Sequence, residues 1–250
     1  MKPHQEIEKH LGGPTKNSEF LARYIGARMP EQRAKDEQSA LTYWGLKVPL
    51  HRQAAKTKFS FSHLSPEEQW PYWIAIWQES PIYDVKSVAM IWLSDAKHKS
   101  LREKNWAEVV AMVEEIDNWA HSDTLSSMLA ELLEARPKLL DQNRKWNRSK
   151  NPWHRRQSIV GIYCYARLRK KKIPAATALK LIRPLLKDPH FYVQRGVGWT
   201  LREVDRVDSK LQRAFVRKHL RDISATAWFA TSELYPVALR KKLVSARRRR

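Results

Sequence analysis

Tyr192-Val193-Gln194-Arg195-Gly196-Val197-Gly198-Trp199-Thr200-Leu201-Arg202-Glu203 is the stretch on which the reading of the fold turns. An aromatic opens it, a glycine stands six residues later and a leucine nine residues later. The same spacing recurs along the chain. Aromatic anchors at Tyr83, Trp119, Trp153, Tyr192 and Trp228 lie 36, 34, 39 and 36 residues apart. Six residues after each comes a small or apolar residue (Ala89, Leu125, Ile159, Gly198, Leu234). Nine residues after comes an apolar one (Trp92, Met128, Ile162, Leu201, Val237). A period in the thirties without strand signals predicts stacked helical hairpins, each burying its apolar face against its neighbours. The expected fold class is therefore all-α, a superhelical solenoid of helical repeats whose curvature offers a concave surface to a large ligand.

Helix boundaries are written into the intervening segments. Ser65-Pro66-Glu67-Glu68 combines an N-cap serine, proline at the first helical position and a capping-box glutamate. Pro174 and Asp208 can open further helices, and Asp188-Pro189 punctuates the entry to the one beginning near Tyr192. Apolar spacing of three and four predicts helices over 103–116, 120–134, 154–170, 174–187, 192–205 and 209–221. Segments 10–17, 57–65 and 141–153 are expected as loops. No Pro/Gly/Ser-rich linker interrupts the chain, so residues 1–240 are expected as one domain and 241–250 as a basic tail without fixed structure.

Charge identifies the kind of ligand. The net +21 is uneven, with 11 basic and 9 acidic side chains over 1–80, 7 and 10 over 81–140, and 29 and 7 over 141–250. Such one-sided charge is an electrostatic footprint for phosphate, and nucleic acid, ahead of an anionic membrane or an acidic protein, is the expected partner. No amphipathic lipid-anchoring segment and no apolar run of spanning length occurs, so no membrane partner is expected and a cytoplasmic, nucleoid-associated monomer is. The single cysteine, Cys164, lies in an apolar run and excludes a disulfide or cysteine cluster. Histidines without close acidic spacing, and the absence of phosphate-binding and nucleophile-elbow motifs, argue against metal, nucleotide-hydrolysis and serine-esterase chemistry, so no cofactor is expected.

Three places carry polar groups where a repeat would favour packing. Trp119 and Asp123 are four apart and share one helix face, and on that spacing alone an exposed carboxylate near a helix start is the favoured reading over a functional one. Trp153-His154-Arg155-Arg156 places Arg156 at the register of Arg195 in the next repeat, a row suited to forked phosphate contacts or to a solvated face. Gly196 and Gly198 inside a helix cost roughly 1 kcal/mol each relative to alanine. Close packing of a neighbouring helix or close approach of a ligand backbone would explain them.

Gly198-Trp199-Thr200-Leu201-Arg202-Glu203, Trp153-His154-Arg155-Arg156, the Trp119/Asp123 pair and Tyr43-Trp44-Gly45-Leu46-Lys47-Val48-Pro49 with Arg52 follow one another in a distinctive order. Over roughly residues 40–236 this pattern resembles the bacterial DNA alkylation-repair glycosylases built from HEAT-like repeats, the AlkD type. The resemblance implies excision of N3- and N7-alkylated purines from duplex DNA without base flipping. It implies a catalytic Asp123 flanked by Trp119 and Trp199, converging in a positively charged groove, and a DNA-contacting Arg156. Arg155, Arg195, Lys47 and Arg202 are the further expected DNA contacts. The chain departs from the family pattern at Ala120, where an acidic residue is usual, and at Ser122, where an apolar one is usual. A relative that binds damaged or branched DNA without cutting it is therefore the alternative reading.

Overall fold

The computed structural model describes residues 1–25 and 39–248. It divides into two compact units, Met1–Met128 and Leu129–Arg250. The first contains α1 (Pro3–Leu11), α2 (Ser18–Ile25), α3 (Val48–Ala54), α4 (Pro66–Glu79), α5 (Tyr83–Ser94), α6 (Lys99–Lys104), α7 (Trp106–Ala111) and the start of α8 (Trp119–Ala135). The second contains α9 (Leu140–Trp146), α10 (Pro152–Tyr163), α11 (Ala175–Ile182), α12 (Phe191–Val207), α13 (Ser209–Lys218), α14 (Ala225–Thr231) and α15 (Val237–Arg248). Among the described residues the only β-type pairing is the isolated bridge between Thr42 and Ile82. The all-helical repeat architecture expected from the aromatic anchors is present.

The anchors do what their spacing predicts. Tyr83 and Trp119 are the first residues of α5 and α8, Trp153 and Tyr192 the second residues of α10 and α12. Tyr83, Trp153 and Tyr192 are buried, and so are Ala89, Leu125 and Ile159 six residues on and Trp92, Met128, Ile162 and Leu201 nine residues on. The last repeat departs from the pattern. Its helix α14 stops at Thr231, so Val237 starts the next helix and is exposed.

Local chemistry sets the other boundaries. Ser65 and Glu68 form the predicted reciprocal capping box at the start of α4. Asp208 caps α13 by accepting from the Leu211 N–H. The helix expected over 103–116 breaks at Asn105, and that over 174–187 gives way to a 3₁₀ turn at Arg183–Leu185 around Pro184. The helix expected to reach residue 170 ends at Tyr163, because Tyr165 takes a left-handed conformation at φ 56°. The segment expected as a loop over 141–153 instead contains α9. The basic tail expected from 241 is helical to Arg248, pinned by buried Leu243 and by Arg247 donating to the Leu220 carbonyl at 2.9 Å. Arg249 and Arg250 lie outside the described residues.

The two cores are built differently. In the first, Trp73 stacks on Trp92 at 5.2 Å between ring centroids, and Trp92 on His98 at 3.8 Å. In the second, aliphatic side chains of α10, α11 and α12 dominate. There α12 lies so close to α14 that a Cβ on Gly198 would sit 2.3 Å from the Ala227 carbonyl oxygen. A Cβ on Gly196 would press on Val160 and Arg156 at 3.1 and 3.2 Å. Of the two explanations for these glycines, helix packing is the one realised.

Candidate functional site

α8 carries the first pair. His121, Leu125 and Met128 are buried on one side of it, and Ser122, Ser126 and Leu129 on the adjoining side. The remaining stripe, Trp119, Ala120, Asp123, Thr124 and Ser127, is half-buried and accessible. Positions 119, 120, 123, 124 and 127 follow the one-turn spacing of a single face, so Trp119 and Asp123 point the same way as predicted. Only small side chains separate and flank the indole and the carboxylate along that stripe, and Asp123 itself is half-buried. Ser122, one of the two departures, is fully buried beside the stripe, one turn on from Trp119. Ala120, the other, lies on it.

Trp119 is held from α2. Its Nε1 donates to the Tyr24 carbonyl at 3.1 Å, and the Tyr24 ring meets it edge-on at 5.6 Å. Beneath the start of α8, the His121 ring stacks on Tyr83 at 4.6 Å. Its Nδ1 lies 2.9 Å from the Asn118 amide nitrogen, which can only donate, and its Nε2 lies 2.9 Å from Ser87 Oγ. These contacts specify the neutral tautomer protonated on Nε2. Burial, reinforced by the charges of Lys86 and His51, holds the His121 pKa well below the usual histidine range. Burial also pushes the Tyr83 phenol up to about 12. His121 is therefore a structural support and not a proton shuttle.

The Tyr43–Pro49 motif is positioned by a carboxylate that sequence reasoning missed. Asp84, fully buried, accepts from the Trp44 N–H at 2.7 Å, the Leu46 N–H at 3.0 Å and His51 Nε2 at 2.9 Å. Between those two amides Gly45 has φ 80° and lies against the backbone of Ser18, where a Cβ would come within 2.4 Å. This clasp presents Lys47 and Arg52 to solvent. The available signal was an acidic residue directly after a buried anchor aromatic, which periodicity alone does not flag.

Trp199 belongs to the second unit. It is half-buried on α12, meets Tyr165 edge-on at 5.7 Å and has the Arg202 guanidinium 5.8 Å from its ring centroid. Its buried Nε1 has no hydrogen-bond partner among the described residues. Arg202 is itself engaged with Glu203 at 3.2 Å and Glu233 at 2.8 Å. Trp119 and Asp123 are thus brought together on one helix, and Trp199 and Arg202 on another.

The expected row of exposed arginines is not formed. Arg195 is exposed, but Arg156 is 3% exposed and its Nη1 donates to the Tyr192 carbonyl at 2.7 Å, tying α10 to α12. Arg155 is also committed internally. It grips Asp188 with Nε and Nη2 at 2.6 and 3.1 Å, and Nη1 donates to the Ser149 and Lys150 carbonyls. A guanidinium that satisfies buried carbonyls and a carboxylate is a structural tie, so Arg155 and Arg156 do not present phosphate-gripping forks at the surface. Their sequence register matched that of Arg195, but the first turn of α12 and Asp188 supplied acceptors that the register could not reveal.

Among the described residues no cluster of His, Cys, Asp and Glu could hold a metal ion, and no helix is long and apolar enough to cross a membrane.

Comparisons with known proteins agree with this architecture. A solved structure described as a predicted DNA alkylation repair enzyme from Enterococcus faecalis superposes with a TM-score of 0.65 at 17% identity, covering 91% of this chain and 99% of that one. AlkD2 from Streptococcus mutans gives 0.54 at 17% identity over 91% and 98% of the two chains. The smu.31 protein of Streptococcus mutans gives 0.54 at 19% identity over 76% and 93%. No curated protein sequence matches the chain. The family profile for DNA alkylation repair enzymes matches residues 15–232. The chain belongs to the DNA alkylation repair enzyme family.

Proposed function

We propose that the protein is a monofunctional glycosylase that hydrolyses the N-glycosidic bond of N3- or N7-alkylated purines in duplex DNA. The observation that carries this reading is the half-buried stripe of α8, where Asp123 shares a face of small side chains with an indole held by α2. Alkylation at N3 or N7 makes the purine cationic and already a good leaving group, so no general acid is required. As the bond breaks, positive charge passes to the deoxyribose. A carboxylate about 4 Å from that charge, at an effective dielectric near 20, contributes on the order of 4 kcal/mol. That corresponds to about a thousandfold in rate. Asp123 supplies this charge and orients the attacking water. Trp119 offers an aromatic face to the cationic sugar, worth roughly 0.5–2 kcal/mol. The matching role of Trp199 rests on the family resemblance. Exposed Arg195 and Lys47 are the proposed phosphate contacts, while Arg155 and Arg156 secure the scaffold of the second unit. Because the lesion need not be flipped into a tight pocket, bulky adducts should be tolerated.

The test is release of 7-methylguanine from methylated duplex DNA by the wild-type protein and by Asp123→Asn. Release well above buffer for wild type, lost in the variant, supports the reading. Equal release by wild type and buffer overturns it. That result favours the non-catalytic DNA-binding alternative, to which Ala120 on the same stripe gives its specific support.

A further inference from the structure

We infer that the loop Tyr165–Lys172 of the second unit is a preformed duplex-DNA contact, with lysines on backbone phosphates and Leu168 entering the groove. The loop is short, yet it is fastened along its length. Buried Glu203 accepts from the Ala166 N–H at 2.9 Å. Arg169 turns inward, 8% exposed, and faces the Glu134 carboxylate at 3.6 Å. Tyr163 Oη donates to the Ile173 carbonyl at 2.5 Å just beyond the loop. These three fastenings lie on the protein side.

The other side chains face outward. Arg167, Lys170, Lys171 and Lys172 are exposed, Lys172 with its Nζ donating back to the Arg169 carbonyl at 2.9 Å, and beside them Leu168 is 60% and Tyr165 43% exposed. A lone exposed leucine needs no explanation, but a leucine and a tyrosine framed by four cations on a fixed loop are different. Four exposed cations within six residues, with no carboxylate in the loop, match a phosphate backbone in sign and density. An apolar tip between them matches the wedge that groove-binding proteins set against base steps. Tyr165 gives the tip its direction, because its left-handed backbone turns the chain sharply at the end of α10 and its ring rests edge-on against Trp199. Fixing the loop in advance lowers the ordering cost of binding. The inference rests on the reading of the protein as one that acts on DNA, but not on the chemistry assigned to Asp123.

The experiment uses the full chain and a short undamaged duplex with 2-aminopurine at its centre. Binding is measured against salt for wild type, for the triple variant Lys170→Ala/Lys171→Ala/Lys172→Ala and for Leu168→Ala. These side chains are exposed, so the melting temperature should be unchanged. The triple variant should flatten the salt dependence by about 0.9 in log–log slope for each phosphate contact removed. Wild type should raise 2-aminopurine fluorescence and Leu168→Ala should not. An unchanged slope overturns the loop contact, and an unchanged fluorescence response overturns groove entry. Loop-dependent capture of phosphatidylserine vesicles without any loop dependence on duplex would also overturn it. Failure here with 7-methylguanine release intact leaves the glycosylase reading standing. Loss of release with the loop effects intact removes only the chemistry.

Discussion

The two units of this chain differ in charge far more than in size. Residues 1–128 hold 16 basic and 17 acidic side chains, a net of −1, whereas residues 129–250 hold 31 and 9, a net of +22. The near-neutral unit carries Asp123, and seven of the eleven tryptophans. The cationic unit carries Arg195, Arg202 and the basic loop after α10. Under the proposed function, the carboxylate that serves a cationic transition state and the surface that serves a polyanion make opposite electrostatic demands, and they reside on different units. Attraction to DNA and cleavage of the glycosidic bond should therefore separate under mutation.

The largest expected effect comes from Asp123→Asn. Excision of 7-methylguanine should fall on the order of a thousandfold, while affinity for the duplex, set mainly by the cationic unit, should stay within about twofold. A matching loss of affinity in a binding titration would break the division of labour.

Next come changes that probe each unit's fold. Asp84→Ala strips two backbone amides and a buried histidine of their acceptor, which should cost about 3–5 kcal/mol. Gly198→Ala places a methyl against the Ala227 backbone and should cost about 1–3 kcal/mol. Hydrogen exchange read unit by unit should show the first variant loosening residues before 128 and the second those after. Identical protection loss throughout the chain in both variants would show the units to be one cooperative block.

Acid sharpens the contrast further. Burial holds His98 at a pKa of about 4, and His121 well below its ordinary value, and both lie in the first unit. The unfolded chain takes up protons near 6.5 that these folded rings refuse. Stability of the first unit should therefore fall as pH drops from about 6.5 toward 4, with the His98 contribution levelling off below that. His98→Phe keeps the stack on Trp92 and should flatten the acid slope of melting, and an unaltered slope would remove His98 from the account.

The smallest effect contrasts two arginines of the cationic unit. Arg195→Ala should reduce the salt slope of DNA binding by about 0.9. Arg155→Lys should leave that slope alone and lower the melting temperature, because a lysine cannot reproduce the fork on Asp188.

The fold was legible because the aromatic anchors are core residues at helix starts, and apolar periodicity survives in sequence. What escaped were elements whose amphipathicity is polar. α9 looked like a loop because two of its inward-facing contacts are made by amides, with Asn143 on the Ser158 carbonyl and Asn147, just past its end, on Ser158 Oγ and the Leu181 carbonyl. The Trp119/Asp123 face could be read from spacing, since one turn of helix fixes it. Arg155 and Arg156 could not, because a guanidinium has the same register whether it ends on a phosphate, a carboxylate or a carbonyl. Asp84 and Tyr165 escaped for a related reason, as one acts through distant amides and the other through a backbone dihedral.

The final helix has a practical consequence. Arrays of hairpins have no intrinsic stopping point, since each hairpin leaves a greasy flank for a successor. Here α15 plugs that flank with Leu243 and lays Arg247 over the Trp228 ring at 5.0 Å. A fragment cut before Val237 should thus expose a sticky terminus and self-associate.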